Sequence, residues 1–449
     1  MRFPVIGATT FALLAASSIA FPGMALSQQT PSSSELREHN VEFKRELIRV
    51  TDGVFVAVGY AASNVILLQG DDGVVIIDTG PNPIEARAIK AEFAKVAKGP
   101  VRAIIYTHSH PDHTGGAKVF AGDDNPEIIA AFEAPPQPIG RPNQEGADQF
   151  GMKVPDELFI NAGTQLEFGR NVAPTMEGFL RPTRKLASNR EAVTLAGLQL
   201  ELLSTPGEAG DSISVWLPAK RVIATGDDVL KTFPNIAPIR GVPMRPPEQW
   251  VSSLNEILAL APAVLLPGHM RPIIGAENVI SAVTAYRDGI SSINEQTLAG
   301  MKRGMRPDQL VQAVKLPPAL RDHPYLRQYY GTVEWMVRGI YANQLGWFDG
   351  NSANVFPSTL VEKANNLLPL IGGPTGAVKA GRAASAVGNH QWALELADLV
   401  LALDPTDLSA KRLKLLALTE LGKREGNAIA RNWYLSVATQ LKDEIGADR

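Results

Sequence analysis

Directly after an apolar segment at 101–106, the chain reads Thr107-His108-Ser109-His110-Pro111-Asp112-His113-Thr114-Gly115-Gly116. Three imidazoles and one carboxylate lie close together here, although the whole chain contains only seven histidines. Neutral imidazole is a preferred ligand of zinc, and carboxylates suit harder or shared divalent cations. His108 and His110 project to the same side of an extended chain, and the following turn directs Asp112 and His113 to a second position. This pattern predicts a two-metal site; the alternative is a polar strand-to-loop junction with chance histidines.

Two metal ions need more ligands than this stretch supplies, so further ligands are expected on loops that follow later strands. Three candidates stand where such strands are predicted to end: Glu208 in Thr205-Pro206-Gly207-Glu208, Asp227 in Thr225-Gly226-Asp227-Asp228, and His269 in Pro267-Gly268-His269. A glycine precedes each candidate, and glycine lets the backbone approach an ion closely. The sequence therefore predicts that these three side chains complete the ligand set.

Composition excludes several kinds of site. The chain contains no cysteine, so disulfides, thiolate zinc sites and cysteine nucleophiles are excluded, and His, Asp and Glu must hold any metal. The formal net charge of −3 gives no indication of a nucleic acid or an anionic membrane surface as a partner. A length of 449 residues is sufficient for two or three domains with a large core.

The first residues are typical of an export signal. Arg2 provides a basic start, residues 5–20 form an apolar, alanine-rich run, and Ala25-Leu26-Ser27 places small residues before Gln28. We expect a signal peptide at 1–27 and a periplasmic or secreted protein without stable membrane insertion; the alternative is a retained N-terminal anchor. Residues 28–44 are predicted to form a polar arm, either disordered or wrapped on the protein.

The remaining chain divides into a strand-rich half and a helical half. Short β-branched segments separated by turns run from 47 to 77, and strands are expected again between 198 and 266. Helices are predicted at 84–97 and 247–260, whereas the Pro-, Gly- and Asn-rich segment 122–192 is predicted to form loops over the site. Helical patterns dominate beyond residue 280, including a helix-turn-helix at 389–421. These patterns predict an α/β fold followed by an all-helical region.

The histidine motif and the three later loops together resemble the metallo-β-lactamase superfamily. Glu208 stands where that superfamily usually carries histidine, and this departure resembles its alkylsulfatase branch. The helical half is similar to that branch's dimerisation domain at three stretches: Tyr330-Gly331-Thr332-Val333, Leu345-Gly346-Trp347-Phe348-Asp349-Gly350-Asn351-Ser352-Ala353-Asn354, and Arg431-Asn432-Trp433-Tyr434-Leu435. The resemblance implies an αββα catalytic sandwich at 45–284 and a helical dimerisation domain at 285–449, without the sterol-carrier-like domain of longer members.

The same resemblance implies two Zn²⁺ ions per chain. One ion would be held by His108, His110 and Glu208, the other by Asp112, His113 and His269, with Asp227 bridging them. A metal-bound hydroxide is the expected nucleophile, since paired zinc ions lower the pKa of bound water toward ~7. Asp78, in Ile77-Asp78-Thr79-Gly80, is expected either to orient a ligand or to cap its turn.

Further residues are implied to recognise the substrate. Thr232, Asn235 and Arg240 match the branch's sulfate-facing pattern, and Arg245 is a further candidate contact; the alternative for both arginines is an ordinary surface charge. Asp112, Asp227 and Arg240 would be the catalytic residues. The implied function is hydrolysis of alkyl sulfate esters to alcohol and inorganic sulfate by a homodimer. Two alternatives stay open: hydrolysis of another ester, lactone, lactam or phosphoester, and a dimeric binding protein with a vestigial site.

Overall fold

The computed structural model describes residues 31–133, 175–239 and 242–447. The predicted signal peptide at 1–27 and the predicted catalytic residue Arg240 lie outside these described residues. Residues 134–174, in the middle of the segment predicted to form loops, also lie outside them.

The first sheet contains the strands nearest the N-terminus. Its first four described strands are antiparallel neighbours, and the later ones join in parallel. In order across the sheet they are β1 Glu46–Thr51, β2 Val54–Val58, β3 Val65–Gln69, β4 Val74–Ile77, β5 Val101–Ile105, β6 Glu127–Ala130 and β7 Arg184–Lys185. Every residue of β2 and β4 is buried, which explains their continuous apolar sequences.

The second sheet is built from strands that follow residue 189. In chain order they are β8 Arg190–Leu195, β9 Leu198–Ser204, β10 Ile213–Leu217, β11 Val222–Gly226, β12 Val264–Pro267 and β13 Ile273–Ile274. Neighbouring strands are antiparallel except β11 and β12, which run in parallel with Val222 opposite Val264 and Ala224 opposite Leu266. Because β11 and β12 are parallel, both strands end at the same edge of the sheet.

Helices cover the outer faces of both sheets. The described helices are α1 Ser33–His39, α2 Pro83–Phe93, α3 Pro111–Thr114, α4 Ala117–Ala121, α5 Pro247–Ala259, α6 Ala276–Lys302, α7 Pro307–Ala313, α8 Pro318–Arg321, α9 Val333–Leu345, α10 Leu360–Leu367, α11 Gly373–Ala386, α12 His390–Leu403, α13 Leu408–Arg424 and α14 Ala428–Ala447. One apolar core lies between the sheets. A second core lies between the first sheet and helices α2 and α4. A third core lies between the second sheet and helices α5 and α6. This helix–sheet–sheet–helix layering confirms the predicted αββα sandwich.

The region that follows is helical from α6 to α14 in the described residues, which confirms the second part of the predicted fold. The third core also contains residues of α7 and α9, so the first helices of this region pack directly on the sandwich. Helix α6 continues without a break across the predicted domain boundary at 284–285. No helix in the described part of the chain is both long enough and apolar enough to span a bilayer.

The prediction of loops alone at 122–192 is wrong for the parts of that segment that the structure describes. Strands β6 and β7 lie within it, and β8 begins in it. Strand β6 has only four residues and β7 only two. Such short segments carry too few residues for alternation to show, and β6 is recognisable only because it pairs with β5.

The N-terminal arm, which is described from residue 31, wraps onto the junction between the two halves. Glu35 in α1 forms an ion pair with Arg327 of the helical half. Glu42 accepts a hydrogen bond from Lys231 of the sandwich at 2.7 Å. The arm therefore contacts both halves of the molecule, in agreement with the wrapped alternative.

A backbone ladder connects the sandwich to the helical half. The N–H of Phe233 donates to the Arg327 carbonyl at 2.7 Å, and the N–H of Gly331 donates to the Phe233 carbonyl at 3.1 Å. On the other side of this segment, the Asn427 amide donates to the carbonyls of Gln328 and Tyr330, each at 2.9 Å. Asn427 is buried and therefore fixes the segment on which the loop at 232–235 rests.

We predict that Asn427→Ala lowers the free energy of unfolding by about 2–4 kcal/mol, because it leaves two buried carbonyls without a donor. Urea denaturation followed by circular dichroism measures this change. The exposed helical residue Asn343 is the matched control, and Asn343→Ala should leave stability unchanged or slightly raised. Equal unfolding midpoints for the two variants would contradict the role assigned to Asn427.

Candidate metal centre

The strand ends bring the predicted metal ligands to one edge of the sandwich. His108, His110, Asp112 and His113 follow β5, Glu208 follows β9, Asp227 follows β11 and His269 follows β12. The two sheets are joined at this edge, where the N–H of Ile213 donates to the Thr107 carbonyl at 2.8 Å. The structure brings all seven side chains to this edge, in two neighbouring groups.

One group of potential ligands contains His108, His110, Glu208 and Asp227. Their ligand atoms all lie within 4.8 Å of one another. Nε2 of His108 lies 2.8 Å from Nδ1 of His110, which in turn lies 3.3 Å from Oε2 of Glu208. The first three of these side chains are those that sequence analysis assigned to one cation.

The second group contains Asp112, His113 and His269, with ligand atoms that also lie within 4.8 Å of one another. Oδ2 of Asp227 lies 3.5 Å from Nε2 of His113, 3.2 Å from Nε2 of His269 and 3.9 Å from Nε2 of His108. One carboxylate oxygen therefore faces both groups, which is the position required of a bridging ligand.

The second nitrogen of each buried histidine is held by the protein. Nδ1 of His113 lies 2.8 Å from Oδ2 of Asp78, Nδ1 of His108 lies 3.0 Å from the Thr107 hydroxyl, and Nδ1 of His269 lies 2.7 Å from the Ala62 carbonyl. These contacts leave Nε2 of each ring directed at the centre, as histidine ligands of metals require. Asp78 thus orients a predicted ligand, which was the first of its two expected roles.

The donor atoms of the second group, together with Asp227, fit one small divalent cation. Two ligands bound at about 2.0–2.2 Å to a shared cation lie roughly 3.3–3.5 Å apart in tetrahedral geometry. The ligand atoms of Asp112, His113, His269 and Asp227 that face one another are separated by 3.2–3.6 Å. Nε2 of His113 is buried and has no hydrogen bond of ordinary length among the described residues. These distances are long for hydrogen bonds but suit ligands around a shared cation.

Electrostatics favour charged imidazoles at His113 and His269 beside charged carboxylates, whereas burial lowers the pKa of His108 well below its usual value. Burial lowers the pKa of His269, but Asp227 and Asp112 raise it further, to about 10. Burial raises the pKa of Asp112, but His113 and His269 outweigh it and lower the value to about 2. A divalent cation would replace these imidazole protons, since metal binding and proton release are coupled.

Two glycines let the backbone come close to the ligands. A Cβ on Gly268 would lie 2.2 Å from Oδ1 of Asp227, a distance that no side chain could occupy. Gly226 has a φ of +53°, and a Cβ there would lie 2.7 Å from the Thr107 hydroxyl. Neither loop therefore has room for a side chain at its glycine.

The predicted substrate residues that the structure describes lie in different environments. The Thr232 hydroxyl donates to the Arg327 carbonyl and accepts from the Tyr330 N–H, both at 3.0 Å. A hydrogen bond donated from Thr232 to a substrate would therefore require the first of these bonds to break. Asn235 is buried, and its Oδ1 has no hydrogen-bond partner within the described chain. Both residues keep their predicted substrate roles as predictions.

Arg245 is buried and is not a surface charge. Its Nη2 contacts Oε1 of Glu208, and its Nη1 donates to the Asn235 carbonyl at 2.5 Å. Sequence reasoning did not anticipate this contact with a predicted metal ligand. No local signal could have revealed it, because strands β10 and β11 separate the two residues along the chain.

Asp228 is a second residue that contacts Glu208. Its Oδ1 accepts a hydrogen bond from the Glu208 N–H at 3.1 Å, and its backbone carbonyl accepts one from the Trp250 indole at 3.0 Å. Burial raises the pKa of Asp228 well above its usual range. Asp228 therefore holds the backbone of the Glu208 loop in place through this hydrogen bond.

Comparisons with known proteins agree with this arrangement. Residues 58–269 match the metallo-beta-lactamase superfamily, and residues 306–444 match the alkyl sulfatase dimerisation family. The chain is 34% identical over 398 residues to a linear primary-alkylsulfatase from a Pseudomonas species, covering 85% of this chain and 74% of the relative.

Two further relatives are also similar to this chain, and the similarity covers a smaller share of their length. An (R)-specific secondary-alkylsulfatase from a Pseudomonas species is 28% identical, with coverage of 89% of this chain and 63% of the relative. The solved structure of a stereoselective inverting sec-alkylsulfatase from a Pseudomonas species superposes with a TM-score of 0.78 at 27% identity. That similarity covers 89% of this chain and 66% of the solved one.

We predict that Asp78→Asn lowers the affinity for the cation held by His113 by about 10- to 100-fold, as loss of a carboxylate behind a ligating histidine does elsewhere. Asn tolerates the left-handed backbone of this position, where φ is +58°. Metal content per chain after dialysis against graded chelator measures the effect. Asp72→Asn, at an exposed turn residue, is the control, and equal metal retention in both variants would contradict the prediction.

Proposed function

The chain belongs to the alkylsulfatase branch of the metallo-beta-lactamase superfamily, and from this premise we propose that it hydrolyses alkyl sulfate esters to an alcohol and inorganic sulfate. The observation that carries the proposal is the pair of donor groups that share Oδ2 of Asp227. The carboxylate ligand Glu208, in place of the usual histidine, further supports this branch over lactam hydrolases.

We propose that the cofactor is two Zn²⁺ ions per chain. His108, His110 and Glu208 would hold one ion, Asp112, His113 and His269 the other, and Asp227 would bridge them. A donor set of imidazoles and carboxylates without cysteine is suited to zinc. When bound, zinc supplies a hydroxide nucleophile at neutral pH, because it lowers the pKa of coordinated water to about 7.

The protein's own contribution is to orient these groups and to recognise the sulfate. Asp78 and the Ala62 carbonyl fix the rings of His113 and His269, so the ligand nitrogens need not reorganise during the reaction. Arg240 is proposed to clamp the sulfate oxygens with its planar guanidinium. Asn235, in the loop at 232–235, is proposed to add a neutral hydrogen bond to the sulfate.

We predict that the purified protein releases inorganic sulfate from primary or secondary alkyl sulfates, and that Asp227→Asn lowers the rate by at least about 100-fold by weakening the bridge. The measurement is sulfate release over a panel of alkyl chain lengths, with zinc content determined in parallel. A chromogenic cephalosporin, a lactone and a phosphodiester belong in the same panel.

Asp123→Asn, at an exposed loop residue, is the matched control and should retain the full rate. Turnover of the cephalosporin, lactone or phosphodiester without any sulfate release would overturn the sulfatase assignment while keeping a hydrolase. A folded protein without bound metal and without any turnover would instead favour the binding-protein alternative.

We also propose that the protein is a homodimer. The segment 345–371, within the region that matches the dimerisation family, exposes large apolar side chains. Trp347 is 75% exposed, Phe356 93% and Leu370 79%. Such a concentration of exposed apolar surface is characteristic of a protein interface, and a second copy is the partner that the family match supports.

We predict that the double variant Trp347→Ser/Phe356→Ser dissociates to monomer, because it removes two large apolar anchors from the interface. Sedimentation equilibrium at micromolar concentration gives the mass. Ile274→Ser, which removes an exposed apolar side chain of the sandwich, should remain dimeric. A dimeric double variant would show that segment 345–371 is not the interface.

For the cellular location we keep the expectation of a periplasmic or secreted protein. It is supported by the basic start at Arg2, the apolar run at 5–20 and the small residues before Gln28. Mass determination of the N-terminus after expression tests whether cleavage occurs after Ser27.

A further inference from the structure

Glu208 is the one predicted metal ligand whose carboxylate contacts a buried arginine in the described structure. Its Oε2 lies 3.3 Å from Nδ1 of His110, whereas its Oε1 contacts Nη2 of Arg245. Both side chains are almost fully buried, at 2% and 7% exposure. The two oxygens therefore have different tasks, one directed at the centre and one at the guanidinium.

Arg245 is itself fixed at both ends. Its backbone N–H donates to the Ile236 carbonyl at 2.9 Å, and Nη1 donates to the Asn235 carbonyl at 2.5 Å. A guanidinium held in this way has little freedom to rotate toward a ligand in the centre. It instead presents a fixed donor to Glu208.

We propose that Arg245 is a positioning residue that holds Glu208 as a single-oxygen ligand and offsets its charge. This inference rests on the proposed metal centre and replaces the substrate contact that sequence analysis implied for Arg245. The pair formed by Glu208 and Arg245 carries no net charge, so the centre gains an oxygen ligand without gaining a negative charge.

Charge balance explains why such a partner is needed. The carboxylates of Asp78, Asp112 and Asp227 already face the three buried imidazoles. In the metal-free protein an unpaired Glu208 would add another buried negative charge, and burying a charge without a partner is strongly unfavourable. With Arg245 in place, Oε1 is held by the guanidinium, and Oε2 faces His110 at the centre.

Zinc retention tests this proposal independently of turnover. Wild type, Arg245→Met and Arg245→Lys are loaded with Zn²⁺ and dialysed against graded chelator, and the zinc content per chain is measured. Arg245→Met should lose zinc from the His108–His110–Glu208 position at roughly 10- to 100-fold lower chelator concentration. Arg245→Lys should show an intermediate loss, because it keeps the charge but not the two-donor fork.

Two further variants separate positioning from general destabilisation. Arg338→Met removes an arginine from an exposed ion pair with Glu334 and should retain zinc as wild type does. In the metal-free protein, Arg245→Met should lower the thermal midpoint, and Glu208→Gln/Arg245→Met should recover most of the loss, since neither partner then leaves a buried charge.

Unchanged zinc retention in Arg245→Met, whether wild type binds one ion or two, overturns the proposal. If that variant also shows only a raised KM for an alkyl sulfate, Arg245 is a substrate contact. The proposed function and this inference fail separately: a protein that cleaves no sulfate ester can still lose zinc in Arg245→Met, and an active sulfatase can retain it.

Discussion

The carboxylate of Asp227 is the constraint on which the rest of the site depends. Its Oδ2 faces Nε2 of His108, His113 and His269 at 3.2–3.9 Å, so three loops must arrive at one point. The parallel pairing of β11 with β12 places Asp227 beside His269, and the hydrogen bond between Ile213 and Thr107 holds the first sheet against the second. Both the sandwich and its register are therefore prerequisites of the metal centre.

A second set of contacts extends from this centre into the helical half. Asn427 holds the segment at 328–330, that segment pairs with the loop at 232–235, and Arg245 connects the same loop to Glu208. Each step is a hydrogen bond or an ion pair between buried groups. A close-packed core tolerates little displacement of such groups, so a shift at one step is transmitted to the next. The helical half thus supports the loop of the predicted sulfate residues as well as the proposed dimer.

Sequence reasoning succeeded where the chemistry was local. The strands β2 to β5 are apolar runs bounded by turn residues, and each predicted ligand directly follows a strand end, so periodicity and residue type were sufficient. It failed where the partner is distant, as with Arg245 and Glu208. In the helix-turn-helix both predicted helices form. Ala393 and Ala397 are buried there, whereas Trp392 is 46% exposed, because small residues allow helices to pack closely.

Each of the two groups of potential ligands has one side chain that is more exposed to solvent than the others. The imidazoles of His113 and His108 are fully buried, whereas the side chain of His110 is 25% exposed and that of Asp112 is 18% exposed. Among the described residues, the solvent-accessible side of the centre therefore lies at His110 and Asp112, and the substrate of the proposed reaction would enter there.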